Sequence, residues 1–185
     1  MDEAAQCDVV IESVAEKLAL KQQLLADLEP RLAGGAILAS NTSTISLARL
    51  SSPLRDPGRL CGCHFFLSIG QAAMIEIVRG EKTRPDTIAA AVDLAGAIGH
   101  LPLVVPDVPG FVANRLLVPY LSAAMQLLAE GVTVAALETA AEAFGMIWGP
   151  LRLMDAIGLD TALHCGWVIA GSSADLVVGS PLLVA

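Results

Sequence analysis

Short apolar runs alternate with longer stretches of helical spacing through the first half of the chain. Runs of this length and composition are typical of strands in a buried sheet. The predicted strands are Cys7–Ile11, Ala36–Ser40, Arg59–Phe66, Ala73–Val78 and Leu101–Val105. Because helical stretches separate them, the pattern predicts an α/β domain built on a parallel sheet.

Three helices are predicted between these strands. Leucines recur at nearly helical intervals over Glu16–Ala33, and we expect Pro30 to bend or end that helix. The polar cluster Asn41–Thr44 suits a turn and a helix N-cap ahead of a short helix over Ile45–Leu50. A threonine cap followed by a proline predicts a third helix over Thr83–Gly99.

The pattern changes at Pro106–Gly110, a turn-rich connector that we take as a domain boundary. We assign residues 1–108 to the first domain and residues 109–185 to a second, all-helical domain. The helices of the second domain are expected over Phe111–Glu130 and Thr133–Phe144, from Gly149-Pro150 onward, and from Asp160 to about Ile169. Residues 171–185 have no clear period and are interpreted as a frayed or truncated tail.

Charge and composition narrow the class of protein. The formal net charge of −8 disfavours general nucleic-acid binding, which needs lysine and arginine to replace counterions. The chain has no run of about 18 uninterrupted apolar residues, so no transmembrane span is expected. Its four cysteines show no disulfide framework and fit a reducing compartment. Cys61-Gly62-Cys63-His64 has no second Cys/His pair at a matching distance, and we expect no metal site.

His64 and Glu76 are the residues most suggestive of chemistry. Both lie in strand-like apolar runs, where a carboxylate is not expected to be buried without a partner. If the two strands share a sheet, the two side chains can meet, and a His–Glu pair would fix the imidazole tautomer and raise its basicity. A hydrogen-bonded core histidine is the simpler alternative for a single histidine.

Other polar residues have two interpretations each. Asn41–Thr44 follows a predicted strand, at the edge where α/β sheets bind ligands, but it can also serve as a helix cap. Asn114, early in the first helix of the second domain, can face a cleft or simply be solvated. By physics alone, Glu12, Glu16 and Lys21 are surface charges or neighbours along a helix.

Six ordered segments together resemble the 3-hydroxyacyl-CoA dehydrogenase family, over about residues 1–170. The resemblance is specific because the segments occur in the family's order without large gaps. They are Val9–Glu16 (VVIESVAE), Ile37–Ser43 (ILASNTS), His64–Phe66 (HFF), Met74–Gly80 (MIEIVRG), Asp107–Tyr120 (DVPGFVANRLLVPY), and Gly149-Pro150 with Ile157–Thr161 (IGLDT).

The resemblance implies a fold, a reaction and a set of site residues. The fold would be a partial Rossmann-type parallel sheet followed by an all-α C-terminal domain. The reaction would be NAD-dependent oxidation of (S)-3-hydroxyacyl-CoA to 3-oxoacyl-CoA in fatty-acid β-oxidation. The catalytic pair would be His64 as general base and Glu76 as its partner. Ser43 and Asn114 would bind the acyl-CoA substrate, and Glu16, Lys21 and Asn41 would bind NAD.

Two departures from the family pattern accompany the resemblance. Leu67-Ser68-Ile69-Gly70 stands where the family continues "HFF" with Asn-Pro, although the spacing from His64 to Glu76 is kept. The chain also contains no G-x-G-x-x-G turn for the pyrophosphate. We therefore expect a fragment that by itself binds NAD weakly or not at all. It would act as a homo-oligomer or within a larger multifunctional chain, in the cytoplasm.

Two alternatives remain open at this point. A truncated sheet exposes an edge and an apolar face, which would suit a catalytically inactive module acting in assembly or binding. A different dehydrogenase of the same architecture is also conceivable, but related hydroxyacid dehydrogenases typically rely on a lysine. The combination of His64, Glu76, Ser43 and Asn114 favours the first assignment.

Overall fold

The computed structural model describes residues 6–66 and 74–171. The chain divides into two compact units between Phe111 and Val112. The assignment of residues 1–108 and 109–185 as functional domains stays a prediction. Two predicted features lie outside the described residues. They are the Leu67-Ser68-Ile69-Gly70 segment and the tail after Gly171.

Within the described residues, the first unit contains one five-stranded sheet with its strands in chain order. The strands are β1 (Val9–Glu12), β2 (Ile37–Ser40), β3 (Leu60–Phe65), β4 (Met74–Arg79) and β5 (Leu101–Pro106). Strands β1, β2 and β3 are parallel, β4 is antiparallel to β3, and β5 is parallel to β4. The predicted strands and the Rossmann-type fold class are confirmed.

The expectation of an all-parallel sheet is wrong at the β3–β4 ladder. Only residues 66–73 separate the two strands. A parallel crossover needs a dozen or more residues, usually including a helix, so this connection is too short for one. The strands must therefore pair antiparallel, which brings the end of β3 beside the start of β4.

Three helices accompany the sheet: α1 (Leu18–Leu28), α2 (Leu47–Leu50) and α3 (Pro85–Ala97). A short 3₁₀ turn over Glu29–Arg31 follows α1, so the helix ends just before Pro30, as the sequence indicates. Helices α1 and α2 pack their buried side chains on one face of the sheet, and α3 packs its buried side chains on the other. The sheet is thus the middle of three layers.

Two predicted helix caps are wrong. Thr83 does not cap α3, because its hydroxyl donates to the Leu60 carbonyl and accepts from the Gly80 amide. The cap of α2 is Ser46, which accepts from the Arg49 amide, and not a residue of the Asn41–Thr44 cluster. The N-cap of α3 is Arg84, without a side-chain cap, and a hydroxyl nearer the helix takes the position in α2, so residue type alone does not decide it.

The second unit is helical in its described part, as predicted. Its helices are α4 (Ala113–Ala129), α5 (Val134–Phe144), α6 (Pro150–Ile157) and α7 (Leu159–Ala170). Thr133 caps α5 by accepting from the Ala136 amide, and Gly145 ends it at φ 112°. Among residues 6–66 and 74–171, no single helix has the length and apolar character to span a membrane; only α6 and α7 taken together do, with a 98° bend between them.

Substitution of Gly62 tests how closely β3 and β4 pack against each other. A Cβ at this position would lie 2.7 Å from Val78 Cβ, on the partner residue across the ladder. We expect Gly62→Ala to lower the free energy of unfolding by about 1–3 kcal/mol, as overpacking does. Urea unfolding followed by circular dichroism measures the change.

Gly96→Ala is the matched control, because a Cβ at this position in α3 meets no atom within 4 Å. Alanine is a better helix former than glycine by up to about 1 kcal/mol, so this variant should be neutral or more stable. Equal stability changes in the two variants would contradict the close β3–β4 packing.

Candidate active site

The His64–Glu76 pair lies at the antiparallel ladder between β3 and β4. The two residues are direct partners in register, and His64 Nδ1 lies 2.8 Å from Glu76 Oε2. Directly opposed side chains project from the same face of a sheet, which explains the contact. The side chains are 7% and 0% exposed, so the pair is removed from bulk water.

The pair fixes the protonation pattern of the imidazole. An ionised carboxylate can only accept a hydrogen bond, so Nδ1 of the neutral ring carries the proton. Nε2 is then the nitrogen with which His64 can accept another proton. The rings of Phe66 and Phe111 lie 5.0 Å and 5.5 Å from the imidazole centroid and give it apolar walls. A buried imidazole held in this way has the geometry that general-base chemistry requires.

The Asn41 side chain makes hydrogen bonds that link the ends of three strands beside His64. Its Oδ1 accepts from the Phe65 amide at 2.9 Å, and its Nδ2 donates to Ser13 Oγ at 2.9 Å. Asn41 follows β2, Ser13 follows β1, and Phe65 is the neighbour of His64 at the end of β3. These contacts are within the chain and fix the end of β3 next to His64.

Glu16 holds the turn after β2. Its Oε1 accepts from the Thr42 hydroxyl, from the amides of Ser43 and Thr44, and from the Thr44 hydroxyl. Burial raises the pKa of this carboxyl, but the Thr42 hydrogen bond, the Lys21 charge and the Thr44 hydrogen bonds outweigh it, and the pKa is lowered. Glu16 is therefore an ionised anchor for residues 42–44.

Lys21 is only 1% exposed, with its ammonium surrounded by oxygens. Nζ lies 2.9 Å and 3.0 Å from the two carboxylate oxygens of Glu12, 3.1 Å from the Val14 carbonyl and 3.4 Å from Glu16 Oε2. The interpretation of Glu12 and Lys21 as surface charges is wrong. The helical spacing of the sequence could have predicted the burial of Lys21, since Lys21, Leu25 and Leu28 form the buried face of α1.

Comparison with known proteins identifies the family of the chain. Residues 1–108 match the profile described as the 3-hydroxyacyl-CoA dehydrogenase NAD binding domain, and residues 110–175 match the C-terminal domain of the same enzyme. The chain belongs to the 3-hydroxyacyl-CoA dehydrogenase family. The family identification made from the sequence motifs is confirmed.

Individual members of the 3-hydroxyacyl-CoA dehydrogenase family show the extent of the likeness. A fatty acid oxidation complex subunit alpha from Acinetobacter baylyi is 41% identical over 174 residues, covering 94% of this chain and 24% of that protein. The crystal structure of FadB2 from M. tuberculosis superposes with a TM-score of 0.92 at 31% identity, covering 99% of this chain and 66% of that one.

The (S)-3-hydroxybutyryl-CoA dehydrogenase PaaH1 from Ralstonia eutropha gives a TM-score of 0.86 at 35% identity, covering 94% of this chain and 62% of that one. The chain spans about a quarter of the length of the curated relatives it matches.

The remaining predicted site residues lie in different units. Ser43 is half-buried in the first unit, where its amide donates to Glu16. Asn114 is half-buried in the first turn of α4, in the second unit. Their roles in substrate binding stay predictions, as do the cofactor roles of Glu16, Lys21 and Asn41.

Sequence reasoning did not predict the side-chain contacts of several residues in this part of the first unit. They are Glu12, Ser13, Ser40, Thr42 and Phe111. Ser40 and Thr42 belong to the recognised "ASNTS" segment but act through side-chain contacts that its pattern does not reveal.

The described residues contain no group of three His, Cys, Asp or Glu side chains that could hold a metal ion. Cys61 and Cys63 are buried free thiols in β3. The hydrogen bond with Cys63, together with burial, raises the pKa of the Cys61 thiol well above its ordinary value. A thiol held protonated in this way is a poor metal ligand, since metals bind the thiolate.

Glu16 gives the first-unit stability a defined pH dependence. Its folded pKa lies below the ordinary value of 4.5, so its stabilising contribution is fully present above pH 4.5 and is lost as the pH falls through the folded pKa. We expect the difference in unfolding free energy between the parent chain and Glu16→Gln to be largest above pH 4.5 and to shrink in stronger acid. Urea unfolding across a pH series measures it.

Asp27→Asn is the control for this series, because Asp27 is an exposed carboxylate on α1 that pairs with Gln23. It should show a small difference at every pH. A Glu16→Gln difference that stays constant or grows toward acid would contradict the lowered pKa.

Proposed function

We propose that this chain carries the proton-transfer part of an NAD-dependent 3-hydroxyacyl-CoA dehydrogenase. The substrate would be an (S)-3-hydroxyacyl-CoA and the product a 3-oxoacyl-CoA, in fatty-acid β-oxidation. The observation that carries the proposal is the buried His64–Glu76 pair, with Nδ1 bound to the carboxylate. It supplies an oriented base where this oxidation needs one.

His64 accepts the proton of the substrate 3-hydroxyl on Nε2 as the C3–H bond gives up its hydride. NAD supplies the hydride-accepting chemistry when it is bound. The imidazolium that results is stabilised by the negative Glu76, 2.8 Å away. Phe66 and Phe111 keep water from the ring, which strengthens that charge interaction. In the reverse direction His64 returns the proton to the developing alkoxide.

The residues present fit a nicotinamide cofactor at the carboxyl edge of β1, β2 and β3. Ligands bind α/β sheets at this edge, and Glu16 keeps 29% of its side chain exposed there. Its carboxylate can accept a hydrogen bond from a ribose hydroxyl or a carboxamide. Lys21 is fully surrounded by the chain's own oxygens, so we assign it to holding Glu16 in place. Asn41 likewise holds the strand ends.

Family membership supports proposals for substrate binding and assembly. We propose that Ser43 and Asn114 bind the acyl-CoA. The curated relatives are named as subunits of fatty acid oxidation complexes, so we propose that this segment works within a larger multifunctional protein or as a homo-oligomer. The proposed location is the cytoplasm.

His64→Ala tests the assignment of the base. We expect it to lower the rate of acetoacetyl-CoA reduction by NADH by about 10²–10⁴-fold, the usual contribution of a general acid–base group. Loss of NADH absorbance follows the reaction in the full chain.

His100→Ala is the matched control. It is a histidine of the same unit whose Nδ1 contacts the Ile98 carbonyl and not a carboxylate. This variant should keep parental activity. Activity that survives His64→Ala unchanged would rule out the proposed mechanism.

A further inference from the structure

Glu12 is a buried carboxylate that the proposed reaction does not use. It lies at the end of β1 and is 4% exposed. Its oxygens accept hydrogen bonds from Lys21 Nζ at 2.9 Å and 3.0 Å, from the Val14 amide at 3.1 Å and from the Ser40 hydroxyl. A carboxylate this deeply buried is tolerated only when its charge and lone pairs are compensated, as they are here.

Two chains of hydrogen bonds lead from Glu12 to the turn that carries Ser43. The shorter one runs through Ser40 Oγ, which bonds Glu12 and accepts from the Thr42 amide at 3.2 Å. The longer one runs through Lys21, whose Nζ lies 3.4 Å from Glu16 Oε2. Glu16 Oε1 then accepts from the amides of Ser43 and Thr44, each at 3.1 Å.

Both routes depend on the charge of Glu12. Lys21 Nζ lies among two carboxylates and the Val14 carbonyl, and Glu12 holds it at the shorter distances. If Glu12 is made neutral, the buried ammonium is left with Glu16 as its only nearby anion among these contacts. Lys21 is then no longer fixed by Glu12, so it stops holding the Glu16 carboxylate in place against the four donors of residues 42–44.

We propose that Glu12 is a positioning residue that places the Ser43 turn for the reaction, acting through Lys21, Ser40 and Glu16. This inference rests on the proposed function. Glu12 itself, at 4% exposure, would touch neither substrate nor cofactor. Its effect reaches the site because one carboxylate fixes the ends of β1 and β2 and the start of α1 at the same time.

The test compares Glu12→Gln with Glu29→Gln in the full chain. Glu29 is the matched control, because it is also a buried glutamate, 6% exposed, and accepts from the amides of Arg55 and Asp56 at 2.9 Å and 2.7 Å. Its hydrogen bonds go to the segment after α2 and not to the Ser43 turn. The readout is backbone amide hydrogen exchange measured by NMR.

In Glu12→Gln, the amides of Ser43 and Thr44 should exchange about tenfold faster than in the parent, while the sheet amides of Cys63 and Ile77 change by less than about threefold. In Glu29→Gln, Ser43 and Thr44 should keep parental rates relative to the sheet. Parental rates at Ser43 and Thr44 in Glu12→Gln would overturn the proposal. A uniform increase across the unit would overturn it too, since Glu12 would then be only structural.

The double variant Glu12→Gln/Lys21→Met keeps the test decisive if Glu12→Gln folds poorly. It removes the uncompensated ammonium and should recover stability. Because both routes to the turn are cut, Ser43 and Thr44 should still exchange about tenfold faster than in the parent. Recovery of parental exchange together with stability would overturn the proposal.

Steady-state kinetics separate this inference from the proposed function. If the parent reduces acetoacetyl-CoA, Glu12→Gln should lower kcat about tenfold, whereas Glu29→Gln should leave kcat unchanged. An unchanged kcat in Glu12→Gln would overturn the positioning role. A parent protein without dehydrogenase activity would instead overturn the proposed function, and the exchange rates alone would then decide whether Glu12 places the turn.

Discussion

The hydrogen bond between His64 and Glu76 depends on the direction of a single strand. Strand β4 runs antiparallel to β3, so Glu76 falls opposite His64 and projects from the same face. The short connection between the strands enforces this direction. A one-residue slip in register would send Glu76 to the other face and leave two buried, uncompensated polar groups. The contact between His64 and Glu76 therefore depends first on backbone pairing and only then on side-chain chemistry.

Around this pair, the carboxylates of the buried Glu12 and the partly exposed Glu16 hold loops in place. Glu12 joins β1, β2 and α1, and Glu16 gathers the donors of residues 42–44. Breaking one partner of such a buried ion pair typically costs about 3–5 kcal/mol, whereas a matched apolar replacement of both is often neutral. Such ion pairs therefore suit a role in placing loops better than a role in raising the net stability of the fold. The first unit uses charge to hold the edge of the sheet where α/β folds bind ligands.

Periodicity and motifs predicted much of this molecule. The five strands and the helices of both units follow from apolar spacing, and the meeting of His64 and Glu76 follows from placing two apolar strands in one sheet. The direction of β4 was not predicted, although the connection from β3 is too short to allow parallel pairing. Lys21 was misassigned because residue type was given more weight than its helical phase. Contacts such as those from Glu16 to residues 42–44 join segments more than twenty-five residues apart, and no local pattern predicts them.

The tautomer of His64 tests the central claim most directly. Long-range ¹⁵N–¹H NMR spectra of the full chain, recorded at a pH where the ring is neutral, report which nitrogen carries the proton. We expect a proton on Nδ1, bonded to Glu76, and an unprotonated Nε2. Glu76→Gln should weaken that preference, because the charged acceptor is gone. A neutral His64 ring protonated on Nε2 in the parent chain would show that Glu76 does not orient the imidazole.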